Sequence, residues 1–177
     1  MIIDLRFVAR DLRRLDETSA EVIACGIYRD ARPMTGLAGL CDWRLAGRLS
    51  KLAKQGFLLG EVGEVLALPV RPRLPFDKLL VAGLGPRASF GDATFKKVTS
   101  RMIDAIAGLH TKKAILELPG RGDQAISAER AADILLDLIG DDERDVLTFV
   151  EDAKDQERIE RQAQERRRQA MRQKEKT

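Results

Sequence analysis

The chain has 177 residues, 44% hydrophobic and 33% charged, a length and composition that suit one domain with a substantial core. No apolar run approaches the roughly 18 residues of a membrane span, and the N-terminal MIIDLRFVARDLRR lacks the order of a signal peptide. The net charge of +3 is uneven: residues 164–177 hold six cations and two acids, so the remainder sums to −1. We therefore expect a cytoplasmic protein with a basic tail and no membrane partner.

Cysteine and histidine are too scarce for a zinc site of standard ligand spacing, since the chain has Cys25, Cys41 and His110 alone. Both cysteines lie in apolar patterns, which favours buried small side chains over functional thiols. His110 follows a predicted helix and suits the negative end of its dipole. We predict no metal ion and no cofactor.

The first half of the chain predicts three strands and one helix. Residues 2–9 and 21–27 read as strands, and 64–70 reads as the third. Apolar residues recur every three or four positions over 36–54, which predicts a helix. Trp43 lies off that apolar stripe, and we expect it to pack at the edge of an element.

The central stretch is KLLVAGLGPR, residues 78–87. Its unbroken apolar run predicts a strand buried on both faces, and Gly83 and Gly85 predict a turn that backbone or ligand approaches closely. A helix over 93–109 follows, with Asp92 as its N-cap. A strand, a glycine turn and a helix N-terminus in this order form a geometry that can bind an anion.

The remaining elements are a strand over 114–118, a helix from Ser127 to Ile139 and a strand over 145–150. This alternation predicts an α/β three-layer sandwich with a mixed, mostly parallel sheet of about six strands. We divide the chain into a domain of residues 1–150 and a charged, solvent-exposed helical tail of residues 151–177. Ligands of open α/β sheets bind where the parallel strands end.

Residues 19–121 resemble the N-terminal domain of the leucyl aminopeptidase family. The resemblance rests on DWRLAGRL (42–49), KQGFLLGEVG (54–63) and KLLVAGLG (78–85). It implies a macro-domain-like fold. In that family a following catalytic domain supplies a lysine and acidic metal ligands within a motif resembling NTDAEGR, which this sequence lacks. The resemblance therefore implies a stand-alone domain with no catalytic residues.

Other segments are similar to true macro domains, which bind ADP-ribose. By that similarity Asp11 takes the place of the aspartate that contacts adenine, although Arg10 stands where a glycine is usual. Residues 114–136 are similar to the strand, phosphate loop and helix of macro domains, with Gly120 and Gly122 in the loop. Arg121 either pairs with a diphosphate or is a surface arginine. Residues 25–28 replace the Asn-Ala-Ala-Asn run of ADP-ribosyl hydrolases.

Two functions follow from these patterns. The first is a non-catalytic binding or interaction module, a scaffold or regulator with a protein partner. The alternative is an ADP-ribose-like nucleotide-binding macro domain with weak hydrolase activity. The tail offers weak, non-specific nucleic acid binding. The candidate ligand-binding residues are Asp11, Gly83, Gly85, Gly120, Arg121 and Gly122.

Overall fold

A computed structural model describes residues 5–140 and 145–174 of the chain. The strands are β1 (Arg6–Val8), β2 (Val22–Ile27), β3 (Val65–Pro69), β4 (Lys78–Gly83), β5 (Ala114–Leu116) and β6 (Leu147–Val150). The helices are α1 (Leu12–Asp16), α2 (Gly36–Arg44), α3 (Arg48–Lys54), α4 (Asp92–Gly108), α5 (Ala128–Leu138) and α6 (Ala153–Lys174). A 3₁₀ turn spans Arg87–Ser89.

The six strands form one sheet in the order β1-β6-β5-β2-β4-β3. Every neighbouring pair is parallel except β3 with β4, so the antiparallel strand lies at an edge. In the centre, Val22 of β2 is paired with Lys78 of β4 on one side and Ala114 of β5 on the other. The mixed, mostly parallel six-stranded sheet is thus confirmed. Five strands end at the same edge of the sheet.

Alternating side chains of β2 build the two cores. Val22 and Ala24 face a core shared with α4 and α5, while Ile23, Cys25 and Ile27 face a core shared with α1, α2 and α3. Because both faces of the central strand are covered, its sequence is apolar without alternation. The α/β macro-domain-like sandwich, with a C-terminal helix, is confirmed.

The helix predicted over 36–54 is two helices, because Ala46 and Gly47 adopt left-handed conformations with φ of 55° and 76°. The Asp42 carboxylate accepts hydrogen bonds from the N–H groups of Leu49 and Ser50, which fixes the start of α3. Trp43 is 75% exposed, so the prediction that it packs at an edge is wrong.

Smaller differences concern helix ends and the segment after β1. The N-cap of α4 is Gly91, and Asp92 is the first residue of the helix. A carboxylate at this position interacts favourably with the positive end of the helix dipole. Ser127 does cap α5, accepting a hydrogen bond from Arg130 N. Helix α1 was not predicted, because it has only five residues and one buried side chain, Leu15.

The C-terminal helix α6 is not wholly exposed to solvent, contrary to the sequence-based expectation. Ile159 and Ala163 are buried, and Arg166 donates a 2.6 Å hydrogen bond to the carbonyl of Asp133 in α5. Apolar contacts one turn apart and hydrogen bonds from Gln162 and Arg166 to α5 together dock the helix. The division of the chain at residue 150 stays a prediction.

Among the described residues, no helix combines the length and apolarity needed to cross a bilayer. Cys25 and Cys41 are buried and unpaired, as predicted. Burial raises the pKa of both thiols, that of Cys41 to about 12.

Candidate functional site

Four of the five parallel strands are followed by polar residues at one edge of the sheet. Arg10 follows β1, Tyr28 follows β2, Glu117 follows β5 and Glu151 follows β6. Glu117 and Glu151 are buried there, although a carboxylate in such a place needs partners. The contacts of these side chains decide whether the edge is open to a ligand.

Glu117 lies at the centre of the edge and is 4% exposed. Its two carboxylate oxygens accept hydrogen bonds from the N–H of Leu37, at 3.1 and 3.0 Å, in the first turn of α2. Arg10 Nε donates to the same carboxylate at 2.5 Å. Burial raises the pKa of Glu117, and the charge of Arg10 and the Leu37 N–H oppose that rise. A protein carboxylate therefore holds the place at the α2 N-terminus that suits an anion.

Arg10 connects Glu117 to the end of β6. Its Nη2 lies 3.7 Å from Glu151, and its Nη1 lies 3.2 Å from Asp152. Burial works to lower the pKa of Arg10, but the neighbouring carboxylates, Glu117 first, raise it overall. The side chain is thus held as a cation within the protein.

Arg121 is buried in the loop after β5 and points to the start of α6. Its guanidinium bonds Glu151 through Nε at 2.8 Å and Nη2 at 3.1 Å, and Asp155 through Nη2 at 2.7 Å. Its Nη1 donates to the carbonyl of Ile126 at 2.6 Å. Neither sequence-based interpretation of Arg121 matches this geometry. The side chain is neither at the surface nor free for a diphosphate, because carboxylates of the protein already hold it.

The Gly83–Gly85 turn has no backbone donor to spare. Its three N–H groups donate to the carbonyl oxygens of Glu64, Ile27 and Gly60, at 2.9, 2.9 and 2.7 Å. A side chain at Gly83 would lie 1.9 Å from the carbonyl oxygen of Glu61, and one at Gly85 would lie 2.6 Å from Val62 Cγ2. The close approach predicted for these glycines is made by the protein's own loop.

The glycines of the loop after β5 are also packed against the protein. Gly120 has a left-handed φ of 73°, and a side chain there would lie 2.5 Å from the ring of Phe90. A side chain at Gly122 would lie 2.8 Å from Gly36 Cα, at the start of α2. The loop and the helix N-terminus, which would form the two walls of an anion cleft, are in direct contact.

A cluster of side chains covers the remaining gap. Tyr28 donates a 3.0 Å hydrogen bond to Asp123, which is also paired with Arg87. The Arg87 guanidinium lies 5.5 Å from the centre of the Tyr28 ring, whose edge meets Phe90. Burial and the hydrogen bond to Asp123 raise the pKa of Tyr28, so its hydroxyl stays protonated.

The cavity left beneath this cluster measures about 10 Å³. That is room for roughly one water molecule, whereas a small-molecule site occupies several hundred Å³. Of the six predicted residues, the structure brings Gly120 and Gly122 to this cavity. The other four do not line it, and the Asp11 carboxylate is the N-cap of α1, accepting from Arg13 N at 2.7 Å.

Three carboxylates near the end of β6 approach one another closely. Oxygens of Glu151, Asp152 and Asp155 lie within 4.8 Å. Arg10 and Arg121 pair with all three, which accounts for the cluster as an ion-pair network.

Comparison with known proteins assigns the sequence to a family. Residues 17–142 match the cytosol aminopeptidase family, N-terminal domain. The chain belongs to this family. A probable cytosol aminopeptidase of Halorhodospira halophila is 35% identical over 117 residues, which are 64% of this chain and 23% of that protein. The chain spans about a quarter of the length of the curated relatives it matches.

The solved structures that resemble the chain include macrodomains and a tomato leucine aminopeptidase, which aligns with a TM-score of 0.57 at 15% identity and covers 90% of this chain and 36% of that one. The macrodomain of Mycobacterium tuberculosis DarG aligns with a TM-score of 0.65 at 14% identity, covering 84% of this chain and 97% of that one. The Oceanobacillus iheyensis macrodomain with ADP aligns with a TM-score of 0.62 at 14% identity, covering 90% and 88%. At this identity the likeness establishes the fold.

Proposed function

We propose that the chain is a non-catalytic interaction module, a cytoplasmic scaffold or regulator for a protein partner, built on the aminopeptidase N-terminal domain. The observation that carries the proposal is the Glu117 carboxylate bonded to the N–H of Leu37. It puts an internal anion at the N-terminus of α2, a place that suits a ligand phosphate. The family match covers residues 17–142 and is to the N-terminal domain of the family.

A phosphate entering this edge would meet two costs. It would have to displace Glu117 from Leu37 and Arg10, leaving a buried carboxylate without partners. It would also have to part Gly122 from Gly36, which the structure packs together. Glu117 left in place would repel the ligand, because two anions at one site disfavour each other.

The alternative function is the binding of an ADP-ribose-like nucleotide, with or without weak hydrolysis. It is supported by the fold shared with a macrodomain solved with ADP and by the left-handed turn at Gly120. The occupied N–H groups of the Gly83–Gly85 turn argue against it. Exposed cations such as Arg168 near the end of α6 add at most a weak, salt-sensitive contact to nucleic acid.

Isothermal titration calorimetry with ADP-ribose, ADP and NAD tests the proposal. We expect no saturable heat at millimolar ligand, and the ADP-binding Oceanobacillus macrodomain is the positive control. Saturable binding by this chain would overturn the closed-edge argument. The non-catalytic part is tested separately, since we expect no hydrolysis of leucyl amides with added Mn²⁺ or Zn²⁺.

A further inference from the structure

Large apolar side chains are exposed together in one short segment. Trp43 is 75% exposed, Phe57 69% and Leu59 52%, and all three lie within residues 43–59. Single exposed apolar residues are common on protein surfaces, but a group of them marks an interaction surface. Tryptophan and other aromatic residues are enriched where proteins bind one another.

The same segment is basic. Residues 43–59 contain Arg44, Arg48, Lys51 and Lys54 and no aspartate or glutamate. Arg44 is paired with Asp16. Within residues 5–140 and 145–174, no carboxylate of the protein pairs with the other three cations. Arg48 donates a 3.0 Å hydrogen bond to the carbonyl of Pro69, which leaves its positive charge unneutralised.

Helix α3 holds these residues next to one another. The Asp42 carboxylate bonds the N–H groups of Leu49 and Ser50, which places the end of α2, and with it Trp43, beside the first turn of α3. At the other end, Phe57 N donates to the carbonyl of Leu52 at 2.9 Å. A helix of seven residues is about 10 Å long, with Trp43 preceding it and Phe57 following it in the chain.

We propose that this α3 surface, comprising Trp43, Arg48, Lys51, Lys54 and Phe57, binds an acidic protein segment that also carries apolar side chains. The proposal rests on the proposed function and names its surface and the partner's chemistry. The partner's carboxylates pair with the three unpaired cations, and its apolar side chains cover the two aromatic rings. Charge complementarity gives the encounter rate and orientation, and the aromatic residues anchor the complex.

Two other occupants fit the surface less well. Three cations release too few counterions to hold nucleic acid firmly at physiological salt. A second copy of the chain related by a two-fold axis would bring Arg48, Lys51 and Lys54 against the same cations of its partner, because such an interface uses one patch twice. An acidic partner meets neither obstacle.

Trp43 is the single tryptophan of the chain, so its fluorescence reports directly on the surface. We would titrate the full chain with a helical peptide of glutamate and leucine, and in parallel with its lysine–leucine counterpart and with a single-stranded oligonucleotide. We expect a saturable blue shift with the acidic peptide alone, weakening as salt is raised. A response to the lysine–leucine peptide or the oligonucleotide, a shift that depends on protein concentration without peptide, or no response at all would each overturn the proposal.

A charge reversal at Lys51→Glu with Lys54→Glu should weaken the acidic peptide at least about tenfold, a free-energy change of about 1.4 kcal/mol. Lys96→Glu with Lys97→Glu, on exposed positions of α4, is the matched control and should leave the affinity unchanged. Equal effects of the two pairs would contradict a local surface. If the Trp43 fluorescence does not respond to the acidic peptide and ADP-ribose does not bind, the α3 surface is refuted but the closed edge is not. If ADP-ribose binds, the proposed function itself is refuted.

Discussion

Arg121→Gln is the change that separates a structural arginine from a ligand-binding one. The side chain is 3% exposed and makes four hydrogen bonds, two to Glu151 and one each to Asp155 and the carbonyl of Ile126. These bonds join the loop after β5 to β6 and to the first turn of α6. Their loss would leave Glu151 with Arg10 at 3.7 Å and Asp155 with Arg158 at 3.1 Å, so the cost of a fully uncompensated buried charge is an upper bound.

The expected cost follows from burial. Removing one partner of a buried ion pair costs about 3–5 kcal/mol of unfolding free energy, because the remaining charge is left uncompensated. Arg130→Gln is the matched control: Arg130 pairs with Asp92 in an exposed contact, which is worth at most about 1 kcal/mol. Both substitutions remove one positive charge, so the net charge of the two variants is equal.

Urea unfolding followed by circular dichroism measures both variants. We expect a clearly larger loss of unfolding free energy for Arg121→Gln than for Arg130→Gln. Arg121→Lys should lie in between, because lysine keeps the charge but not the two-point contact with Glu151. Equal losses for Arg121→Gln and Arg130→Gln, both below about 1 kcal/mol, would refute the structural role.

Two further predictions concern packing. Gly122→Ala should lower the unfolding free energy by about 1–3 kcal/mol, because its new methyl group would press on Gly36 Cα. The control Gly108→Ala, where the methyl group meets no neighbour, should be neutral or stabilising. Equal effects of the two substitutions on unfolding in urea would contradict the contact between Gly122 and Gly36. Deleting residues 168–177 should lower the melting temperature by less than about 2 °C, since 168–173 are exposed, and a larger drop in a thermal scan would show that this end packs or assembles.

The sequence predicted the architecture well because hydrophobic periodicity and glycine turns are local signals. The apolar run of β4 and the alternation of strands and helices were enough to predict a mostly parallel sheet covered on both faces. The break between α2 and α3 was missed, since a left-handed Ala46 carries no sequence signal and depends on the Asp42 cap. The docking of α6 combines two apolar contacts, Ile159 and Ala163, with polar contacts to α5 that a highly charged segment does not reveal.

The site was predicted less well because its state depends on long-range pairs. Glu117 stands 107 positions from Arg10, and the sequence shows only an acidic residue at the end of an apolar strand. An acid so placed, together with an arginine in place of the usual glycine before Asp11, is a signal that a buried ion pair fills the edge. The glycines were recognised as points of close approach, but the approaching group is the protein itself.

Glu117 occupies the anion position at the start of α2, and the amide NMR signal of Leu37 tests this most directly. During a titration of ADP-ribose to millimolar concentration, we expect the amide signals of Leu37, Gly120 and Gly122 to stay where they are, because their surroundings remain closed. Saturable shifts of these signals would show that the nucleotide displaces the carboxylate, and would contradict a closed edge.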